Sequence, residues 1–511
     1  MIRSAKGRII VGSVVILAGL ALLMTWEPSA RRQPSVATGA PELAPLTLYC
    51  AAGIKPPVEK TARDFENQYG QAIRIEYGGS GALLSKLRIA REGDLFLAAD
   101  SGYMEIARQQ GLLAEVIPLA VVRPVIAVAK GNPKSIMSVK DLLRPEVKIS
   151  LCNPDAASVG RQTRLALQKT GQWDDLETAA RTRGVFKPTV TDAANDVKIG
   201  AVDAAIVWDA TVAQYPELEI ALPLTDDASF AMRVEIGVLT LCRRPAQALK
   251  FARYLAASDR GLREFAARGY TPVEGDPWEE TPELRLLSGG VNRVAIEDTI
   301  RAFEAREGVR VTRVYNGCGI LVAQMKAGER PDAYFACDTS FMSEVSDLFL
   351  DSTDLSQTDM VIAVPKGNPR KIATLRDLTA DGLKVGLGHP TQGALGALTE
   401  RLLRTHNLLD AVMKNVVSQT PTADLLVNQL RTESLDAVIV YRVNCSQVLD
   451  ALDVIPIDVP GATAVQPFAI GRASTRKELT RRFLRALESA DSRRRFQDVG
   501  FQWVGPSPEQ P

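Results

Sequence analysis

The chain carries one sequence pattern twice. Four segments recur in the same order: YGGSG at 77–81 and YNGCG at 315–319, DLFLA at 94–98 and DAYFA at 332–336, PVIAVAKGNP at 124–133 and MVIAVPKGNP at 360–369, and VDAAIVW at 202–208 and LDAVIVY at 435–441. Equivalent residues lie 233 to 238 positions apart, far more than the period of about 20–50 residues that solenoid repeats show. Each copy is therefore long enough to be a complete globular unit with its own core.

The bulk composition is that of a soluble globular protein. Of the 511 residues, 46% are hydrophobic and 24% are charged, and the formal net charge is +1. A protein that binds nucleic acid usually carries a basic excess, which this chain lacks. No nucleic-acid partner is therefore expected.

The N-terminus predicts export from the cytoplasm. Three cationic residues precede an apolar run at 9–26 that is just long enough to cross a bilayer. Cationic flanks stay on the cytoplasmic side, so the rest of the chain should lie outside. Residues 1–26 are interpreted as a transmembrane anchor, with a cleaved signal segment as the alternative. A pair of arginines soon afterwards favours the anchor, and residues 27–45 would then be a flexible tether.

Strand and helix patterns alternate through both copies. In the first copy, a strand pattern at 46–50 is followed by helical spacing that stops at Gly70 and by an alternating strand pattern at 73–77. The second copy repeats this order from Leu284, with a helix that ends near Gly308. The alternation predicts an α/β fold with mostly parallel sheets built from βαβ units.

The repeat also sets the expected domain boundaries. We assign residues 46–275 to the first domain and residues 283–505 to the second. An acidic linker at 276–282 joins them, and a tail at 506–511 follows. Several arginines near the C-terminus are interpreted as solvated faces of amphipathic helices. They are Arg481, Arg482, Arg493, Arg494 and Arg495.

No catalytic or metal-binding constellation is visible in the sequence. His389 and His406 are the two histidines, and neither accompanies a Ser or Cys nucleophile motif. The six cysteines form no CxxC pair, which argues against a zinc site. They are interpreted as buried small residues, with a thiol-reactive or metal-ligand role as the alternative for Cys318. We expect a protein that is not an enzyme and that needs no cofactor or metal.

Small-residue turns between strand and helix are the clearest candidates for ligand contacts. Each copy has three: AAG at 51–53, GGSG at 78–81 and NPDAASVG at 153–160 in the first, and SGG at 288–290, NGCG at 316–319 and HPTQGALG at 389–396 in the second. Such turns leave backbone N–H groups unpaired at the start of the next helix, where the helix dipole favours an anion. Ordinary βα turns are the alternative, but three turns in one order, twice over, favour an anion site.

Each copy resembles a type II periplasmic solute-binding protein and is most similar to the molybdate-binding family. The resemblance rests on LYCAAG, YGGSGAL, DLFLAAD, NPDAASVG and IVW in the first copy and on LLSGGV, YNGCGIL, DAYFACD, HPTQGALG and IVY in the second. It implies a tandem duplication of that family. Each copy would then have two α/β lobes joined by a hinge, with an oxyanion held between them by serine hydroxyls, backbone N–H groups and a tyrosine.

The resemblance places the ligand-binding site at ten residues, five in each copy. They are Gly53, Ser80, Val159, Gly160 and Trp208 in the first copy and Val291, Cys318, Leu395, Gly396 and Tyr441 in the second. The chain departs from the family at the hydroxyl donors, because the first serine is replaced in both copies and the second survives only as Ser80. Leaving a ligand oxygen unpaired costs about 1–3 kcal/mol, so each loss weakens oxyanion binding.

The resemblance implies a binding protein for a small oxyanion such as molybdate or tungstate. It would lie in the periplasm, anchored or exported through its N-terminal segment, and would serve an ABC-type permease by closing its lobes on the ligand. The alternative is a ligand sensor or a structural scaffold of the cell envelope in which one or both clefts no longer bind. Loss of the serine donors favours that alternative.

Overall fold

The computed structural model describes residues 44–506. The predicted anchor or signal at 1–26 and the tether as far as residue 43 lie outside the described residues. Among residues 44–506, no helix is both long enough and apolar enough to cross a membrane. From Pro45 onward the two copies pack together as one unit.

The first copy alternates strand and helix, as its sequence predicts. Its strands are β1 (Leu46–Ala51), β2 (Ile73–Gly78), β3 (Leu95–Ala98), β4 (Leu113–Val122), β5 (Pro124–Ala129), β6 (Ile149–Cys152), β7 (Val185–Lys187), β8 (Ala204–Trp208), β9 (Leu218–Pro223), β10 (Met232–Leu239) and β11 (Thr271–Pro272). Its α-helices are α1 (Lys55–Tyr69), α2 (Ser80–Ala90), α3 (Ser101–Gln109), α4 (Ser158–Lys169), α5 (Trp173–Arg183), α6 (Val190–Lys198), α7 (Asp209–Val212), α8 (Pro245–Leu255) and α9 (Gly261–Ala266).

The second copy repeats this order. Its strands are β12 (Glu283–Gly289), β13 (Arg310–Asn316), β14 (Ala333–Phe335), β15 (Thr353–Pro365), β16 (Val385–Gly388), β17 (Val416–Thr420), β18 (Ala437–Tyr441), β19 (Leu452–Pro456), β20 (Thr463–Ile470) and β21 (Gln502–Trp503). Its α-helices are α10 (Arg293–Glu307), α11 (Cys318–Lys326), α12 (Thr339–Ser343), α13 (Ala394–Thr405), α14 (Leu409–Met413), α15 (Ala423–Arg431), α16 (Lys477–Leu487) and α17 (Ala490–Asp498).

Each copy has two lobes, and each lobe has its own part of a mixed sheet. In the first copy the sheet orders are β11-β4-β10-β3-β1-β2 and β7-β6-β8-β5-β9. The predicted parallel pairs are present, β1 with β2 and β3 in one lobe and β6 with β7 and β8 in the other. Strands that pass between the lobes pair antiparallel with their neighbours. The parallel pairing is thus confined to one half of each sheet.

Two chain crossings join the lobes of each copy and form its hinge. In the first copy, β4 continues into β5 across Arg123, and β9 leads back to β10. In the second, the uninterrupted strand β15 pairs with β20 in one lobe and with β18 and β19 in the other. Pro124 accounts for the break in the first copy, because proline has no N–H to donate to a strand ladder.

The first helix of each copy shows why these residues fold in this way. Val58, Ala62 and Phe65 form the buried face of α1 at helical spacing. The helix ends where Gly70 adopts a left-handed φ of 67°, and α10 ends in the same manner at Gly308 with a φ of 66°. Glycine enters this region without the strain that a β-carbon brings. Both predicted helix stops are therefore confirmed.

The linker is ordered and contacts both copies. The Trp278 indole N–H donates to the Tyr69 hydroxyl at 3.0 Å, and its ring packs on Tyr254 with centroids 4.9 Å apart. The Asp276 carboxylate accepts hydrogen bonds from the backbone N–H groups of Glu478 and Leu479, at 3.0 and 2.9 Å. The linker thereby caps the start of α16 in the second copy while it packs on the first.

A buried charge cluster joins the two copies. Glu307, the last residue of α10, is 1% exposed. Its carboxylate contacts Arg253 of the first copy at 3.2 Å and Arg482 of α16 at 2.6 Å. The interpretation of Arg482 as part of a solvated helix face is wrong, because its guanidinium turns inward to neutralise a carboxylate that has lost contact with water.

Candidate functional site

A small cavity lies where the two lobes of the first copy meet. Its volume is about 20 Å³, which exceeds the roughly 10–15 Å³ that one water needs and is far below the roughly 300–1,000 Å³ of drug-sized pockets. Its walls come from the turns that follow the strands, at residues 51–53, 78–80, 99, 157–159, 189–190 and 208. Only a very small ligand fits this cavity in its closed form.

The second copy has an equivalent cavity between its own lobes. Its volume is also about 20 Å³. Its walls are residues 290–291, 316–317, 337, 394–395, 421–424, 441 and 444. The two cavities therefore occupy the same place in the two halves of the duplication.

Seven of the ten predicted site residues line these cavities. They are Gly53, Ser80, Val159 and Trp208 in the first and Val291, Leu395 and Tyr441 in the second. Cys318, Gly160 and Gly396 lie outside the cavity walls. A β-carbon on Gly160 would lie 2.4 Å from the Cys152 carbonyl oxygen, and one on Gly396 would lie 2.3 Å from that of His389. Both glycines thus serve helix–strand packing, and a direct ligand contact there stays a prediction.

Three helices begin at each cavity. They are α2, α4 and α6 at Ser80, Ser158 and Val190, and α11, α13 and α15 at Cys318, Ala394 and Ala423. The first N–H groups of a helix have no acceptor within it, and the positive end of each dipole lies there. Among the described residues that form the two walls, none is Lys or Arg. Of the groups in the walls themselves, the backbone N–H groups therefore supply the positive potential.

The lobes touch directly beside each cavity. In the first copy, the Gly81 N–H donates across the cleft to the Ala156 carbonyl at 3.0 Å. A β-carbon on Gly79 would lie 2.3 Å from that same oxygen, and one on Gly317 would lie 2.2 Å from the Gln392 oxygen of the second copy. The structure is therefore the closed form. The repeated glycines are needed because a carbonyl of the opposite lobe occupies the space of a side chain.

Ser80 and Cys318 stand at equivalent helix starts. The Ala99 N–H donates to Ser80 Oγ at 3.2 Å, and the Cys337 N–H donates to Cys318 Sγ at 3.1 Å. The side chains therefore have the same orientation in the two copies. Because these contacts use them as acceptors, the Ser80 hydroxyl keeps its own hydrogen to donate to a ligand, whereas a thiol is a weak donor.

Trp208 and Tyr441 end the equivalent strands β8 and β18 in the cavity walls. Both are buried, at 3% and 2% exposure. The Tyr441 hydroxyl has no hydrogen-bond partner among the described residues. Burial, with the neighbouring Cys337 and Cys318, raises the pKa of Tyr441 well above its ordinary value. A buried hydroxyl without a protein partner is available to hydrogen-bond a ligand or a water in the cavity.

A paired exchange of small and large residues between the copies escaped the sequence prediction. A β-carbon on Gly53 would lie 2.6 Å from Val190 Cγ1, so Val190 fills the space beside this glycine. In the second copy Val291 stands at the position of Gly53, and Ala423 stands at the position of Val190. One valine thus narrows each cavity. The offset of 233 residues between VDAAIVW and LDAVIVY was the signal that could have revealed it.

The second cavity has a carboxylate and a cysteine in its wall, and the described wall of the first cavity has neither. Asp424 belongs to the second wall and accepts a hydrogen bond from Asn444 Nδ2 at 2.9 Å. Cys337 also lines the second cavity, at the position that Ala99 holds in the first. A carboxylate repels an anion and attracts a cation. The first cavity is therefore the better candidate for an anion.

The comparison with known families settles the class of protein. The sequence profile of bacterial extracellular solute-binding proteins matches residues 46–271 and 284–502. The chain belongs to this family. It contains the family unit twice, as the internal repeat predicts, and the cavities lie between the lobes of the two solute-binding units.

Individual relatives match one unit of this solute-binding protein. A binding protein of Haemophilus influenzae is 26% identical over 233 residues, which cover 46% of this chain and 93% of the relative. The molybdate-binding protein ModA of Mycobacterium bovis is 26% identical over 248 residues, 48% of this chain and 90% of the relative. The periplasmic molybdate-binding protein of Azotobacter vinelandii has 21% identity and a TM-score of 0.38, over 44% of this chain and 98% of that chain.

Proposed function

We propose that this chain is an extracytoplasmic binding protein whose first cleft closes on a small tetrahedral oxyanion. Family membership supports the binding role, and the molybdate-binding relatives support an oxyanion as the ligand. The closed protein would deliver its ligand to an ABC-type permease in the periplasm. No chemical step on the ligand is proposed.

The observation that carries this proposal is the convergence of α2, α4 and α6 on one small cavity that contains the Ser80 hydroxyl. Helix N-termini and a hydroxyl donate hydrogen bonds to an oxyanion without a cationic side chain. Such donors do not change protonation near neutral pH. The ligand would be held by geometry and by hydrogen bonds, which suits a site that must also release it.

Closure of the lobes provides the mechanism. The first cavity has walls from both lobes, so a ligand there contacts both and favours the closed form. The hydrogen bond from Gly81 to Ala156 forms only when the lobes meet. The hinge strands allow the opposite motion, which would release the ligand to the permease.

Isothermal titration calorimetry of the full chain with molybdate, tungstate, sulfate and phosphate tests the proposal. We expect one oxyanion per chain, because the second cavity lacks the serine and includes Asp424 in its wall. The absence of binding for all four anions would contradict the oxyanion proposal.

A sensor or scaffold in the cell envelope is the second candidate. The valines at 190 and 291 favour it, since each takes space in a cavity of about 20 Å³. Cross-linking in the native envelope distinguishes the two roles. Recovery of an ABC permease supports transport. Recovery of other envelope proteins without a permease supports the scaffold, if calorimetry also detects no binding of the four anions.

A further inference from the structure

Two cysteine thiols converge behind the second cavity. A β-carbon on Gly289 would lie 2.1 Å from Cys337 Sγ and 3.0 Å from Cys318 Sγ, so both sulfurs face one point at the end of β12. Both cysteines are buried, at 5% and 0% exposure, and both are free thiols. Cys337 is part of the cavity wall. The pair forms a dithiol at the cleft.

The surroundings of this dithiol favour a cation. Asp424 contributes a carboxylate to the same wall, and the Tyr441 hydroxyl in that wall is buried without a partner among the described residues. No Lys or Arg belongs to the wall as the structure describes it. A ligand that enters the second cleft therefore meets sulfur and oxygen atoms, and Arg293, whose charge acts on Asp424, lies outside the wall.

The number and type of these groups narrow the class of cation. Within residues 44–506, no cluster of three or more His, Cys, Asp or Glu could hold a metal ion, so the four-ligand site that structural zinc requires is not formed there. Thiolates select soft cations such as Cu(I). Cu(I) accepts two sulfur ligands in a linear arrangement, so two converging thiols can hold it without a third ligand.

We propose that the second copy binds a soft monovalent cation, of which Cu(I) is the type, between Cys318 and Cys337 behind the cavity of its cleft. Each sulfur bonds to the ion as its thiol proton leaves for solvent, so one Cu(I) and two thiols give a bis-thiolate complex and two protons. Cys318 is the first residue of α11, and its Sγ accepts the backbone N–H of Cys337 at 3.1 Å, which keeps the two cysteines side by side. The inference rests on the proposed function only in that the lobes must open to admit the ion.

Competition with bathocuproine disulfonate, a coloured Cu(I) chelator, tests this on the full chain under anaerobic, reducing conditions. The test variant combines Cys318→Ser with Cys337→Ala, which are the residues that the first copy carries at these positions. The wild type should withdraw one Cu(I) per chain from the chelator. The double variant should bind Cu(I) at least tenfold more weakly.

The matched control is Cys242→Ser. Cys242 lies in the first copy, where its Sγ donates to the Asp94 carboxylate at 3.2 Å, and a serine hydroxyl can make the same bond. This variant should bind Cu(I) as the wild type does. Thermal unfolding checks that each variant is folded, and Cys318→Ser alone replaces the double variant if that one is not.

Equal Cu(I) affinity in the double variant and the wild type would overturn the proposal, as would no uptake by the reduced wild type. X-ray absorption of the copper-loaded protein should show two sulfur ligands, and a shell of nitrogen and oxygen alone would overturn it too. Molybdate calorimetry on the wild type reports on the first cleft. Molybdate binding by a reduced wild type that takes up no copper would therefore refute this inference and leave the oxyanion proposal standing.

Discussion

Ser80 and Cys318 occupy equivalent positions and give their clefts different chemistry. Both accept a backbone hydrogen bond from the strand-end turn, from Ala99 and Cys337 respectively. An O–H is a good hydrogen-bond donor, whereas an S–H is a weak one and its sulfur is a good ligand for soft cations. The proposed anion site and the proposed cation site thus differ at this position by a single atom, oxygen or sulfur.

Ser80→Ala should weaken oxyanion binding by roughly tenfold, which corresponds to about 1.4 kcal/mol, because one ligand oxygen loses its donor. Calorimetry of the variant and of Ser85→Ala measures this difference. Ser85 is exposed on the same helix, so its variant should keep the affinity of the wild type. An unchanged affinity in Ser80→Ala would show that the hydroxyl does not contact the ligand.

The repeat predicted some residues of the cavity walls but not others. Ser80 and Tyr441 follow from motifs that occur in both copies at constant spacing. Val190 and Cys337 do not, because their roles depend on which residue faces them across the cleft or on the next strand. Arg482 was missed for the same reason, since helical spacing does not show that a buried carboxylate, Glu307, lies opposite.

At the scale of elements, the turn glycines set how closely the lobes approach. Gly317 and Gly290 both lie in the second cavity wall. A β-carbon on Gly317 would lie 2.2 and 2.6 Å from the carbonyl oxygens of Gln392 and Pro421, whereas one on Gly290 would have 3.7 Å to its nearest neighbour, Thr422. Only the first substitution conflicts with closure.

Gly317→Ala should therefore shift the second copy toward an open form, and Gly290→Ala should not. Double electron–electron resonance between spin labels at Arg301 and Val417 measures the distance between the lobes, because both positions are exposed and lie on different lobes. A longer separation is expected in Gly317→Ala alone. The same distance distribution in both variants and the wild type would contradict the role given to these glycines.

The elements themselves were largely predictable. Apolar residues at helical spacing and the stops at Gly70 and Gly308 define α1 and α10 from local chemistry alone. The antiparallel strands that cross between lobes were not predicted, because a strand pattern does not state its partner. The sheets are mixed for this reason, although the predicted parallel pairs are present.

At the scale of the whole molecule, the Glu307 cluster holds the two copies together. Burial raises the pKa of Glu307, but Arg482 and Arg253 outweigh it and hold the pKa below its ordinary value of 4.5. A lowered pKa contributes stability above about pH 4.5 that is lost as the pH falls through the folded value. Acid should therefore weaken the contact between the copies.

Glu307→Gln should reduce the free energy of unfolding at pH 7 by about 3–5 kcal/mol, because two buried guanidinium groups lose their counter-ion. Urea unfolding at pH 7 and at decreasing pH below 4.5 measures this loss of stability. The difference in free energy of unfolding between the variant and the wild type should shrink as the pH falls. The control Glu400→Gln breaks a pair with Arg404 at the surface and should cost less than about 1 kcal/mol. The same difference in free energy of unfolding at all pH values would contradict the lowered pKa of Glu307.

The most direct test of the oxyanion proposal is anomalous diffraction from crystals of the full chain grown with tungstate. One tungsten peak is expected in the first cleft, between the Ser80 hydroxyl and the start of α4, with the second cleft empty of tungsten. A peak outside both clefts, with none beside Ser80, would contradict the claim that the closed first cleft is an oxyanion site.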